Sequence, residues 1–157
     1  MLKHILIPLD QSALAETALD YATKLTDPDG QITLLTVLVP PDLTINTLYG
    51  TEGLAQVAMD VEAYESAERQ MRVQAEDYLR NIAKRLSGRR VDIAVHAGRD
   101  ADVIVEEAKA LGVDAIVMAT HGRSGISRWL LGSVTQKVLH AAPCPVMVIP
   151  HHERGKA

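Results

Sequence analysis

Short apolar runs, each followed by a stretch of helical character, recur along this chain, and their alternation restricts the fold more than any other feature. Ile5-Leu6-Ile7-Pro8-Leu9, Ile32-Thr33-Leu34-Leu35-Thr36-Val37-Leu38-Val39, Ala115-Ile116-Val117-Met118-Ala119 and Pro145-Val146-Met147-Val148-Ile149 are nearly continuous in apolar character. The first three read as strands buried on both faces, and the last as an apolar edge of the kind that tends to be paired or covered. Val91-Asp92-Ile93-Ala94-Val95-His96 alternates instead, as an edge strand wet on one face should.

The segments between these runs carry helical signals. Asp10-Gln11-Ser12 has the chemistry of a turn and N-cap, and the helix it opens should bury Leu14, Ala15, Ala18, Leu19, Ala22 and Leu25. Asp27-Pro28-Asp29-Gly30 ends that helix. From Val61 to Leu86, Tyr64, Ala67, Met71, Ala75, Tyr78, Leu79, Ile82 and Leu86 recur at three and four residues, the period of an amphipathic helix. Further helices are expected over about Ala101 to Leu111, with Gly112 as a left-handed cap, and from about Ser133 to Ala141. Residues 42–59 carry the weakest signal, with Gly50 and Gly53 suggesting a loop or a short loose helix.

A βαβαβαβαβ order makes each helix a crossover between parallel strands. Right-handed crossovers then favour a single-domain α/β fold, a doubly wound five-stranded parallel sheet in the order 3-2-1-4-5. At 157 residues one core suffices. Aromatic residues are only 3% of the chain and Phe is absent, so that core must be built from aliphatic side chains and Met. Strands 1 and 4 adjoin where the winding reverses, and ligands of open α/β sheets bind in the crevice beyond such strand ends. The loops at Pro8 to Ser12 and Ala119 to Ser133 therefore form the candidate site.

Composition narrows the partners. With 16 basic against 20 acidic side chains the net charge is −4, which offers no broad attraction for a polyanion, so no nucleic acid partner is expected. The lone cysteine, Cys144, excludes an intramolecular disulfide and reads as a structural thiol in a reducing compartment. The N-terminus runs directly into a short strand without a signal-peptide pattern. A cytoplasmic protein with no membrane partner is the expectation.

The second candidate loop reads Ala119-Thr120-His121-Gly122-Arg123-Ser124-Gly125-Ile126-Ser127-Arg128-Trp129-Leu130-Leu131-Gly132-Ser133. Gly122 and Gly132 lack a β-carbon, so a bulky anion can approach their backbones and positive φ is open to them. Gly132-Ser133 also opens a helix whose unpaired N–H groups form an anion site. Phosphate is the evident guest. Each residue also has a plainer reading: Asp10 as a turn or N-cap residue, Ser133 as an N-cap with or without ligand, Val37 and Met118 as core, Gly122 and Gly125 as turn glycines. Their joint occurrence at one crevice favours a site.

At these residues the chain resembles the universal stress proteins of the ATP-binding kind, whose fold is adenine nucleotide alpha hydrolase-like. The family's marker is a Gly, two residues, a second Gly, nine residues, then Gly and Ser or Thr; Gly122, nine intervening residues and Gly132-Ser133 match its second half. The likeness spans the chain, from Ile5-Leu6-Ile7-Pro8-Leu9-Asp10 to Pro143-Cys144-Pro145-Val146-Met147-Val148-Ile149, so residues 1–151 are expected to form the nucleotide-binding domain and 152–157 a tail. The marker's first Gly falls on Ala119. Positive φ there would cost upward of about 1 kcal/mol. Strand-like φ is expected instead, because Ala119 ends an apolar run.

The resemblance implies a site by position. Asp10 would hydrogen-bond the ribose hydroxyls. Pro8 and Val37 would pack near the adenine, with Val37 backbone atoms reading its edge and Met118 flanking the ring. Ala119 would supply a backbone N–H, and Gly122, Gly132, Ser133 and Val134 would contact the phosphates, with Arg123 adding charge. ATP or AMP is the implied ligand, and Mg2+ would accompany a triphosphate. A homodimer through the last strand is implied as well, in a regulatory, stress-response role.

Other chemistry is missing. There is no Gly-x-x-x-x-Gly-Lys-Ser/Thr loop and no Gly-x-Gly-x-x-Gly after the first strand. The six histidines are scattered, so no metal held by protein ligands is expected. No catalytic residue is assigned. His121 is the one candidate general base beside the phosphates, without a second carboxylate to orient it, so at most weak ATP hydrolysis is expected. Two alternatives to nucleotide binding stay open at this point, an interaction module with an empty crevice and a slow ATPase. Trp129-Leu130-Leu131 adds an apolar cluster that either folds onto the last helix or meets a partner.

Overall fold

The computed structural model describes residues 1–39, 53–120 and 131–150, with side chains from residue 62 onward in the second stretch. Its elements run β1 (Leu2–Pro8), α1 (Thr17–Leu25), β2 (Thr26–Leu38), α2 (Gly53–Arg85), β3 (Arg90–Ala97), α3 (Asp100–Leu111), β4 (Ala115–Ala119), α4 (Ser133–Ala141) and β5 (Val146–Ile149). The strands form one parallel sheet in the order β3-β2-β1-β4-β5, the doubly wound arrangement expected from the sequence. β1 pairs β4 through Ile5↔Ala115 and Leu6↔Ile116, so the winding reverses between them.

Alternation along the strands divides the core in two. Ile5, Ile7, Ile32, Leu34 and Val117 face α1 and α2, packing with Ala18, Leu19, Ala22, Leu79 and Ile82. Leu6, Leu35, Ile116 and Met118 face the other way, against Ala101, Ile104 and Ala108 of α3 and Val138 of α4. A strand covered on both sides has no polar face to offer, which is why these runs are continuous in sequence. The buried threonines are hydrogen-bonded: Thr36 Oγ1 donates to the Leu9 carbonyl at 2.9 Å and Thr26 Oγ1 to the Ala22 carbonyl at 2.7 Å. β3 and β5 are the two edges of the sheet.

Three elements differ from expectation. α2 begins at Gly53, eight residues before the periodic pattern starts at Val61. Its fully buried side chains among the described residues are Ala75, Leu79 and Ile82, with Tyr78 and Ala83 packed partly buried beside them, and Ala67, expected on the inner face, is exposed. β2 begins at Thr26 rather than Ile32, and its register to β1 jumps from Leu2↔Thr26 to His4↔Gln31, so the Asp27–Gly30 turn is absorbed as an irregularity within the strand. Gly30 permits it: a Cβ there would lie 2.7 Å from Thr26 Cγ2 and 3.0 Å from the carbonyl oxygens of Asp27 and Lys3. α1 starts at Thr17, after a turn in which Thr17, Ala18 and Leu19 bond three residues back. Gly112 ends α3 at φ 59°, as expected.

At the amino ends of the strands, Asp114 accepts backbone N–H groups from Lys3 at 2.6 Å and His4 at 2.9 Å. The His4 and then the Lys3 bond hold its carboxyl below the usual range of 3.8. Burial pushes the His4 imidazole below 6.5, outweighing the Asp92 and Asp114 charges that raise it, while its Nε2 meets Thr33 Oγ1 at 2.9 Å. A depressed imidazole means the folded state binds fewer protons than the unfolded chain. Its contribution is complete above pH 6.5 and is lost as pH falls below that value. Asp114 adds a loss of the same sign below 3.8. His4→Gln should therefore flatten part of the decline in melting temperature between about pH 7 and pH 5; parallel curves for the two proteins would contradict this.

Candidate functional site

The crevice beyond the strand ends is a cavity of about 510 Å³, within the range of small-molecule sites. Pro8, Leu9, Asp10 and Ala15 line it from β1 and the following turn, Leu35 and Val37 from β2, Asp100 and Ile104 from α3, Met118 and Ala119 from β4, and Leu131 to Thr135 from the start of α4. Eight of the ten residues expected from sequence are thus brought together: Pro8, Asp10, Val37, Met118, Ala119, Gly132, Ser133 and Val134. The other two, Gly122 and Arg123, lie outside the described residues, as do His121, Gly125, Trp129 and Leu130.

Asp10 is set at the mouth by the turn that follows it. Gln11 has φ 65°, among the described residues the positive φ outside glycine, a conformation that L-residues adopt at a cost. The reversal lets Asp10 Oδ1 accept from Ser12 N at 3.1 Å and Ser12 Oγ at 2.5 Å. Ser12 Oγ in turn accepts from Ala15 N at 3.1 Å, a bond of the turn that precedes α1 rather than its N-cap, which is Glu16. A carboxylate has enough lone pairs to serve this turn and a pair of ligand hydroxyls together. Behind the turn, Tyr78 Oη donates to Glu16 Oε1 at 3.2 Å and Arg85 Nη1 to Glu16 Oε2 at 2.5 Å, tying the start of α1 to α2. Burial, and then the Glu16 charge, push the Tyr78 hydroxyl well above its ordinary value, so it stays a donor.

The opposite wall is the amino end of α4. Gly132, not Ser133, takes the N-cap position, with φ −57° and ψ 152°. Glycine is therefore not required there for positive φ, and what it offers is the absence of a β-carbon beside the helix end. Gly132 has no side chain with which to cap α4, and the first turn carries no acidic residue. Its leading N–H groups and positive dipole end therefore open onto the cavity. α3 presents its own amino end to the same space, but with Asp100 and Asp102 in the first turn. Ala119 has the strand geometry expected of it, is 9% exposed, and adjoins Ile149 in the register of β4 and β5.

Sequence reasoning missed Leu9, Ala15, Leu35, Asp100, Ile104, Leu131 and Thr135 as lining residues. Leu35 was recoverable, since it lies two residues before Val37 and so shares its face. Ile104 and Asp100 share a face of α3, four residues apart, yet only the packing of α3 over β2 brings that face to the crevice. Cys144 packs, partly buried, against the α3/α4 core, where burial pushes its thiol up and makes it less reactive.

Similarity to known proteins covers the chain. Residues 1–150 match the Universal stress protein family. Universal stress protein MJ0577 of Methanocaldococcus jannaschii is 31% identical over 154 residues, 95% of each chain. A solved structure of hypothetical protein MJ0577 superposes with a TM-score of 0.76 at 28% identity, covering 96% of this chain and 97% of that one. A universal stress protein family member from Arabidopsis thaliana, solved with AMP bound, gives a TM-score of 0.61 at 17% identity over 96% of this chain and 93% of its own. With the family match running from β1 to β5 and the fold agreeing, the chain belongs to the Universal stress protein family.

Proposed function

We propose that this protein binds an adenine nucleotide, ATP or AMP, in the crevice between the loops after β1 and β4. Asp10 takes the ribose hydroxyls. Val37, Met118, Leu35 and Ile104 form the apolar slot for the base. The phosphates rest on the backbone of Gly132, Ser133 and Val134, with Ala119, Gly122 and Arg123 completing that end and Mg2+ accompanying a triphosphate. The observation that carries this reading is one cavity with an apolar floor, a carboxylate on one side and, on the other, an acid-free helix end whose N-cap is a glycine. Those are the three chemistries of a nucleoside phosphate. AMP in the Arabidopsis family member is a precedent within the same fold.

The wider role belongs to the same proposal: a cytoplasmic, stress-response regulator that works as a homodimer through β5. β5 is a sheet edge whose Met147 is 38% exposed. The other edge, β3, is reached by Arg72, whose Nη1 donates to the Val95 carbonyl at 2.9 Å, and charge on an edge discourages pairing.

Mass spectrometry of the purified, denatured protein should reveal adenine nucleotide, and calorimetry should show ATP or AMP binding. Asp10→Asn keeps an oxygen for the Ser12 turn while giving up one acceptor and the charge, and should weaken binding about tenfold, or 1.4 kcal/mol. An extract free of nucleotide, together with no binding at millimolar ATP or AMP, would overturn the proposal.

A further inference from the structure

Two helix amino ends open onto the cavity, and they differ in charge. α4 offers a first turn without acids, whereas α3 begins with Asp100 and Asp102. A phosphate chain is attracted to the first and repelled by the second. This contrast orients the ligand with its phosphates at α4 and its base toward α3 and β2. Asp100 lines that end of the cavity together with Leu35, Val37 and Ile104. Ile104 is 3% exposed and lies one turn farther along α3, so the acidic amino end of that helix borders an apolar slot.

We propose that Asp100 selects the base by accepting a hydrogen bond from the exocyclic amine of adenine. The inference rests on the nucleotide-binding reading above and adds to it a specificity-determining side chain. An ionised carboxylate can only accept, so it favours an edge that presents N–H and disfavours one that presents oxygen or no donor. Were Asp100 only an acidic helix-end residue, removing it would weaken or strengthen all nucleotides alike. If instead it reads the amine, its loss changes the ratio between ligands that differ at that one position.

The test pairs ATP with purine riboside triphosphate, which carries hydrogen where adenine carries its amine. Calorimetry on the wild-type protein should show ATP binding about tenfold tighter than the analogue. In Asp100→Ala that preference should shrink to about threefold, the part left to the Val37 backbone at the edge of the base, and in Asp100→Asn, whose side-chain carbonyl still accepts, part of the difference should return. Because Asn preserves the shape of the helix end, its result holds even if the alanine variant folds poorly. Equal wild-type affinities, or an undiminished preference in both variants, would overturn the role of Asp100 while leaving nucleotide binding standing. A wild-type protein that binds neither ligand would overturn the underlying reading as well.

Discussion

Ser133→Asp should leave the ligand-free protein as stable as the parent or slightly more so, and should nearly abolish its affinity for ATP. Ser133 is the first residue of α4, one position past the Gly132 N-cap, and is exposed. A carboxylate placed there meets the positive end of the helix dipole and three leading N–H groups, worth about 0.3–1 kcal/mol to the folded state. The same carboxylate then occupies the place proposed for the phosphates and repels them in a partly enclosed space. A loss of about a hundredfold in affinity, or 2.7 kcal/mol, is expected. Ser133→Ala, which removes only a hydroxyl and leaves the backbone donors, should cost less than about tenfold. Thermal unfolding with and without ATP reads both effects together, because a ligand raises the melting temperature only where it binds. An aspartate variant whose melting temperature still rises with ATP as the parent's does would place the phosphates elsewhere.

Stability and binding move in opposite directions in that variant because the helix end is left uncompensated in the fold itself. An acid-free helix end that lines a cavity is an electrostatic vacancy that a ligand can fill. α3 has filled its own with Asp100 and Asp102. The same local chemistry thus separates an anion-accepting end of the crevice from an anion-rejecting one.

The architecture was legible because burial on both faces leaves an unmistakable pattern. Ala115–Ala119 is apolar at every position and its bounds agree with β4 to the residue. Ser133–Ala141 agrees equally well, since Gly132 marks its beginning and Pro143 lies beyond its end. The start of α2 was not legible, because from Gly53 to Val61 the helix rests on formers such as Leu54, Ala55, Gln56 and Met59 rather than on an amphipathic period. At the site, topology alone puts the two loops of the reversal point at the crevice, and Asp10 and Gly132 from them line the cavity. Asp100 reaches the cavity through the crossover of α3, a tertiary fact with no local signature in the sequence. Gln11 escaped notice for a related reason: its positive φ is imposed by the Asp10-Ser12 bonds around it rather than chosen by its side chain.

The division of the core into two halves leads to the other large effect. Leu6→Ala and Leu79→Ala should each cost about 3 kcal/mol, since both side chains are fully buried and each truncation leaves a cavity that the close-packed surroundings fill only in part. For a chain of this length that corresponds to a fall of about 6–12 °C in melting temperature. Their consequences for ligand binding should differ. Leu6 lies beneath Leu35, Ile104 and Met118, in the cluster that forms the floor of the crevice. Leu79 packs α2 on the opposite face, with Ile5, Ile7 and Leu34. A sagging floor misplaces the base slot, so Leu6→Ala should weaken ATP about five- to tenfold, whereas Leu79→Ala should stay within about twofold. Calorimetry well below both melting temperatures makes the comparison. Equal losses in the two variants would mean that the crevice depends on global stability rather than on the α3/α4 side of the sheet, and the base slot would then have to be sought away from Leu35, Ile104 and Met118.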